Sequence, residues 1–112
     1  MKNQLLYIIH IHESLKKILT YTRDGRDAFL ADSKTQDAVV RNFEVIGEAA
    51  KRLSTEFTAA YPLVPWRRMA GFRDILIHAY DRVDMAEIWN VIEQHVPQLL
   101  SALENIRNTL DE

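Results

Sequence analysis

The chain has 112 residues, enough for one domain, expected to span 1–112, around a single modest core. Its 47% hydrophobic and 27% charged residues are the balance of a globular protein, and its apolar runs are too short and too broken by charge for a transmembrane helix. There is no cysteine, which excludes disulfides and thiolate zinc sites, and the net charge of −2 argues against a protein that coats nucleic acid non-specifically.

The start, Met1-Lys-Asn-Gln, lacks the basic region and apolar core of a signal peptide, so a cytoplasmic location is expected. Few Gly and Pro and no period-two alternation predict an all-α fold. A first helix is expected over about residues 3–23, with Ile8, Ile11, Leu15, Ile18 and Leu19 at helical spacing and Gly25 as a left-handed cap. Residues 26–32 read as a connection whose Phe29 and Leu30 tuck into the core. Ser33-Lys-Thr-Gln36 has the pattern of a capping box opening the second main helix. Val39, Phe43, Ile46, Ala50 and Leu53 then form a packing seam, and Gly47 inside that helix calls for close approach of a neighbouring backbone.

A short helical piece is expected at 55–60. Pro65 suits the first position of a third main helix, with Trp66, Met69, Phe72 and Leu76 on its apolar side. Asp84 caps the last helix, whose stripe runs from Ile88 to Leu110, and Pro97 inside it should kink or split it. The expected architecture is an up-and-down bundle of four main helices plus short helical connections.

The chemistry concentrates in Arg73-Asp-Ile-Leu-Ile-His78-Ala-Tyr80. Ile75, Leu76 and Ile77 mark the segment as packed. The guanidinium fork of Arg73 fits a pair of phosphate oxygens. The imidazole of His78 can take and give a proton near neutral pH. Together they offer what phosphodiester cleavage needs. Residues 65–82 hold Arg67, Arg68, Arg73 and Arg82 against Asp74 and Asp81, a local +2 on a remainder of −4. Asp74 and His78 are four apart on a helix and in reach of one another, so the carboxylate would fix the imidazole tautomer. Arg73 and Tyr80, seven apart, share a helix face. Arg73 and His78, five apart, are rotated by roughly 140° and do not converge on one small ligand. Either the helix ends near His78, or the site is shared between two chains. In a two-fold dimer one imidazole would act as base and the other as acid, without a metal. The plain electrostatic alternative is that Arg and His meet the dipole of a helix C-terminus while Tyr80 packs its ring.

Three blocks resemble the HepT-like toxin family of the HEPN superfamily. They are Thr35-Gln-Asp-Ala-Val-Val-Arg-Asn-Phe-Glu-Val-Ile-Gly-Glu-Ala-Ala-Lys51, then Pro65–Tyr80, then Val83-Asp84 with Ile88-Trp89 and the Leu-rich last helix. The family's R-x4-H-x-Y motif is matched by Arg73, His78 and Tyr80. The resemblance implies an HEPN-like fold and the toxin of a type VII toxin–antitoxin pair. It implies a metal-independent endoribonuclease, homodimeric, with Arg73 and His78 catalytic and no cofactor. It implies as partner an MntA-type nucleotidyltransferase antitoxin that transfers AMP to Tyr80, placing phosphate and bulk beside Arg73. On this reading Asp74 supports catalysis, Arg67, Arg68 and Arg82 are candidates for binding RNA, and neither DNA nor membrane is a partner. The rival reading is a non-catalytic helical subunit that docks a nucleotidyltransferase.

Other residues are assigned smaller roles. His10 and His12, two apart on a helix, point in different directions and cannot share an ion. His95 is expected in a hydrogen-bonded core or interface. Glu48 and Arg52 form an exposed i, i+4 pair, or Arg41, Glu44 and Glu48 instead line a cleft between the two chains of a dimer. Trp66 and Trp89 read as core or interface anchors rather than base-stacking platforms.

Overall fold

A computed structural model describes residues 2–111, with side chains from residue 4 onward. Met1 and Glu112, the ends of the expected domain, lie outside the described residues. The fold is all-α: α1 (Lys2–Tyr21), α2 (Arg26–Ala31), α3 (Ser33–Arg52), α4 (Thr55–Ala60), α5 (Trp66–His78) and α6 (Met85–Leu110), with a 3₁₀ turn at Tyr80–Arg82 before α6. The four main helices expected are α1, α3, α5 and α6. None is long and apolar enough to cross a membrane.

Helix α1 buries Ile8, Ile11, Leu15 and Ile18 completely, at the spacing that puts them on one stripe. It ends where Thr22 turns its hydroxyl back onto the Ile18 carbonyl, 2.8 Å away. Gly25 has φ 95° and ψ −175° and serves as N-cap of α2. That is a region essentially reserved for glycine, but it is not the left-handed helical cap of α1 that the sequence predicts. The 26–32 connection is itself a short helix. It seats the buried Phe29 5.8 Å from the ring of Trp89.

The cap of α3 lies one residue earlier than expected. Asp32, in extended conformation, accepts from the Lys34 N–H (3.1 Å) and the Thr35 hydroxyl (2.7 Å). A carboxylate complements the positive helix N-terminus better than a hydroxyl, so Ser33 becomes the first helical residue. Gln36 is then free to donate to the Phe29 and Leu30 carbonyls at 2.9 and 3.1 Å, tying α2 to α3. Pro65 is likewise a cap rather than the first residue of α5, and the buried Trp66 behind it donates to the Tyr61 carbonyl at 3.0 Å.

Asp84 caps α6 as expected, accepting from the Ala86 N–H at 2.9 Å. Pro97 does not split this helix. It lies on the exposed side of the helix, as does Glu93, whose carbonyl the missing Pro97 N–H leaves without that intrahelical bond. At 1.5 Å per residue the 26 residues of α6 span about 39 Å, which sets the long dimension of the 41 × 27 × 20 Å molecule.

Helix α3 is central, with α1 on one side and α5 on the other, and α6 packs on α1. The seam Val39, Phe43, Ile46, Ala50 and Leu53 is buried throughout. Gly47 performs the role its position suggests. A methyl group there would overlap the Cβ of Arg73 and sit 2.8 Å from the Met69 carbonyl oxygen. The missing side chain lets α5 lie directly on α3, and it sets the depth of Arg73.

Candidate active site

Arg73 leaves α5 over Gly47 and is only 23% exposed. One terminal nitrogen faces Glu48 Oε2 on α3 and the other faces Asp74 Oδ1, each at 3.1 Å, while Nε is buried without a hydrogen-bond partner among the described residues. Each terminal nitrogen carries two N–H groups. One on each meets a carboxylate, and one on each remains. The pairs continue outward: Glu48 also accepts from Arg52 Nε at 3.1 Å, and Asp74 meets Lys51 Nζ at 3.3 Å. Three cations and two carboxylates therefore alternate across α3 and α5, leaving one net positive charge. Arg73, then Lys51, hold the Asp74 carboxyl below its usual range.

Arg73 opens onto a cavity of 510 Å³ between α1, α3 and α5. Arg41, Glu44, Glu48 and Arg52 line it from α3, and Ile77 lines it from α5. Tyr7 and His10 come from α1, and sequence reasoning missed both. Their only local signal is a three-residue spacing beside the apolar stripe. Nothing local says that this side of α1 faces α5. A second hollow of 360 Å³ shares Arg41, Glu44 and Ile77 with the first and adds Asp37 and Tyr80.

The helix ends at His78, the first of the two geometries the rotation between Arg73 and His78 allowed. His78 is exposed and lines neither hollow. Asp74 does not reach it. Two cations compete for the same carboxylate and form charge-assisted bonds, which outweigh one to an imidazole. The expected sharing of one helix face by Arg73 and Tyr80 also fails. Ala79 leaves helical geometry at φ −137° and the chain enters the 3₁₀ turn. Tyr80 is thereby carried to the start of α3, where its hydroxyl donates to Asp37 Oδ1 at 3.3 Å. Partial burial, then the charge of Asp37, raise its pKa, so the phenol stays protonated at neutral pH.

Of the three apolar residues in the motif only Leu76 is buried. Ile75 and Ile77 are 53% and 44% exposed, so the segment is packed on one face and bare on the other. Arg67 and Arg68 stand exposed on the first turn of α5, away from the Arg73 cavity. Arg68 lines a separate apolar groove with Met69, Phe72, Val91 and His95. His95 is exposed on that groove, so of the two placements expected for it, core or interface, the core is excluded. Arg82 is exposed in the turn that carries Tyr80. Trp66 and Trp89 are buried anchors. Among the described residues no group of three or more His, Asp or Glu gathers to hold a metal ion.

The family described as Ribonuclease HepT-like matches residues 11–106, which takes in the whole of α3, α5 and the Tyr80 turn. The chain belongs to the HepT-like ribonuclease family. It is 42% identical over 106 residues to "Putative RNase MJ0127" of Methanocaldococcus jannaschii, covering 94% of this chain and 88% of that one. It is 41% identical over 102 residues to "Probable ribonuclease HepT" of Thermococcus cleftensis, covering 90% and 93%. A 40% identity over 112 residues relates it to "Gamma-glutamylcyclotransferase and putative RNase MJ0434" of M. jannaschii, of which this HepT-like chain spans half. No solved structure matches.

Proposed function

We propose that this HepT-like chain is a metal-independent endoribonuclease and the toxin of a type VII toxin–antitoxin pair. The observation that carries the reading is Arg73, held by Gly47 and two carboxylates at the mouth of a cavity large enough for a nucleotide, with two N–H groups left for phosphate oxygens. Family membership and the printed names of the relatives support RNA as the substrate.

In the proposed reaction the 2′ oxygen of the substrate attacks the adjacent phosphorus. Its proton passes to the His78 imidazole, Arg73 balances the charge that builds on the phosphoryl oxygens, and the P–O5′ bond breaks. The departing 5′ oxygen takes a proton from a second imidazole. A two-fold pair of chains is one way to bring two to a single phosphate, and the bare Ile75 and Ile77 beside His78 support a homodimer through this face.

Control is exerted at Tyr80 by an MntA-type nucleotidyltransferase. Tyr80 Oη attacks the α-phosphorus of ATP, pyrophosphate leaves, and Asp37 takes the phenolic proton. The exposure of Tyr80 and its bond to Asp37 support this step.

Arg73→Ala and His78→Ala should each lower cleavage by at least about a hundredfold, the scale of a lost proton-transfer or charge-stabilising group. Products should end in a 2′,3′-cyclic phosphate, and EDTA should leave the rate unchanged. A rate abolished by EDTA, or retained in His78→Ala, refutes the mechanism.

A second reading follows from His78 lining neither hollow and from the carboxylates that already occupy Arg73. On that reading the chain is a non-catalytic subunit that docks a nucleotidyltransferase. A purified chain that binds such a partner and never cuts RNA would establish it.

A further inference from the structure

Both histidines of α1 have resolved positions, and they part company. His12 is buried, and its Nδ1 lies 2.9 Å from an Arg107 terminal nitrogen. His10 is exposed and stands on the wall of the cavity onto which Arg73 opens. Tyr7 lies one turn before it on the same side of the helix. Arg41 and Arg52, three turns apart on one face of α3, complete with Arg73 a set of three cations on that wall, against Glu44 and Glu48. The wall is therefore net positive and suited to a phosphate. Its one imidazole is His10, the only residue type there that can both hold and release a proton near neutral pH. His78 is absent from the same wall.

We infer that His10 is the proton donor to the leaving 5′ oxygen when the cavity holds the RNA phosphate. The inference rests on the ribonuclease reading and assigns the second imidazole of the reaction to a residue this chain holds beside Arg73. The 2′ oxygen bonds to phosphorus as its proton passes to the partner's His78 in the proposed homodimer, since the chain's own His78 does not line the cavity. The P–O5′ bond breaks, and the electron pair left on the 5′ oxygen takes the proton of the His10 imidazolium. The products are a 2′,3′-cyclic phosphate and a 5′-hydroxyl. Base and acid are then different residues on different elements, each with its own mutational signature.

The test uses two oligoribonucleotides of one sequence that the wild-type chain cuts at a known position. One carries the ordinary 5′ oxygen there, and the other carries a bridging sulfur. A thiolate departs without protonation, so the sulfur substrate has no need of an acid. His10→Ala and His10→Gln should slow the oxygen substrate by about 10²–10⁴-fold and leave the sulfur substrate near the wild-type rate. His78→Ala should be slow on both. His10 is exposed, so neither replacement opens the core. Equal slowing of both substrates at position 10, no slowing of either, or full activity in His10→Gln overturns the inference and leaves the ribonuclease reading standing. A wild-type chain that cuts no RNA from which such substrates could be chosen overturns that reading and the inference with it.

Discussion

At the residue scale, Glu48 and Asp74 determine how Arg73 can be used. Both are nearly half exposed, at 42% and 46%, and pairs of that kind contribute little net stability. Phosphate can displace them easily, while in its absence they keep the guanidinium aimed at the cavity. Tyr80 depends on its neighbour in another way. In the proposed adenylylation a phenol whose pKa is raised must lose its proton during attack on phosphorus, and Asp37 is the carboxylate in reach. Co-expression with an MntA-type nucleotidyltransferase should add adenylyl mass to the wild type and none to Tyr80→Phe. Asp37→Asn should slow the addition at least about a hundredfold, the low side of what a base contributes. Intact-mass time courses read both. His12 supplies a pH dependence of stability. Burial first, and then the charge of Arg107, lower its pKa from the ordinary 6.5. The unfolded chain therefore binds the proton more readily than the folded one, and stability falls as pH drops through and below 6.5. Glu13, bonded to Arg107 at 2.7 Å, is held below the usual carboxylate range and adds its own loss only at more acidic pH. Unfolding midpoints between pH 7.5 and 5.5 should decline in the wild type and decline less in His12→Gln, which keeps an acceptor for Arg107 without a titrating group.

At the scale of elements, α5 owes its position to α3. Glycine to alanine inside a helix ordinarily gains roughly 1 kcal/mol. At Gly47 the sign should invert, because the added carbon meets the Cβ of Arg73 and a main-chain oxygen rather than the end of a flexible side chain. Gly47→Ala should lose about 1–3 kcal/mol, the usual cost of overpacking, and the same shift of α5 should weaken cleavage. Urea unfolding and the cleavage rate test the two halves. The requirement at Gly47 was legible in the sequence, as were the apolar stripes of α1, α3 and α6, because each shows in the period of one helix. The cap of α3 was misplaced by one residue, since Asp32 and Ser33 are both good caps and only the backbone angle at Asp32 separates them. Pro97 signals a broken helix in any sequence, and only its solvent-facing position lets α6 run through. Arg73, His78 and Tyr80 could be named from their motif, but the partners of Asp74 and Tyr80 could not. Lys51 lies 23 residues from Asp74 and Asp37 lies 43 from Tyr80, so no local pattern joins them. Tyr7 and His10 escaped for the same reason.

At the scale of the whole molecule, the net charge of −2 and a cavity wall that gathers only Arg41, Arg52 and Arg73 predict modest electrostatic binding of RNA. If Arg41, Arg52 and Arg73 are the contacts, the logarithm of affinity should fall with the logarithm of salt at a slope of about −2, from roughly −0.7 per phosphate on a single strand. Titration of labelled RNA into the His78→Ala chain at several salt concentrations measures it. A slope near −4 or steeper would bring Arg67, Arg68 and Arg82 into the footprint, although Arg68 lines a different groove. Arg41, Glu44 and Ile77 belong to both the cavity of Arg73 and the hollow of Tyr80, so on the proposed reading an occupant of one hollow should alter binding in the other. Whatever factor an occupant of the Tyr80 hollow takes from the affinity for RNA, bound RNA takes from the affinity for that occupant. On the proposed toxin–antitoxin reading, a chain engaged with RNA would then resist being silenced, and an antitoxin would capture chiefly those copies that are idle.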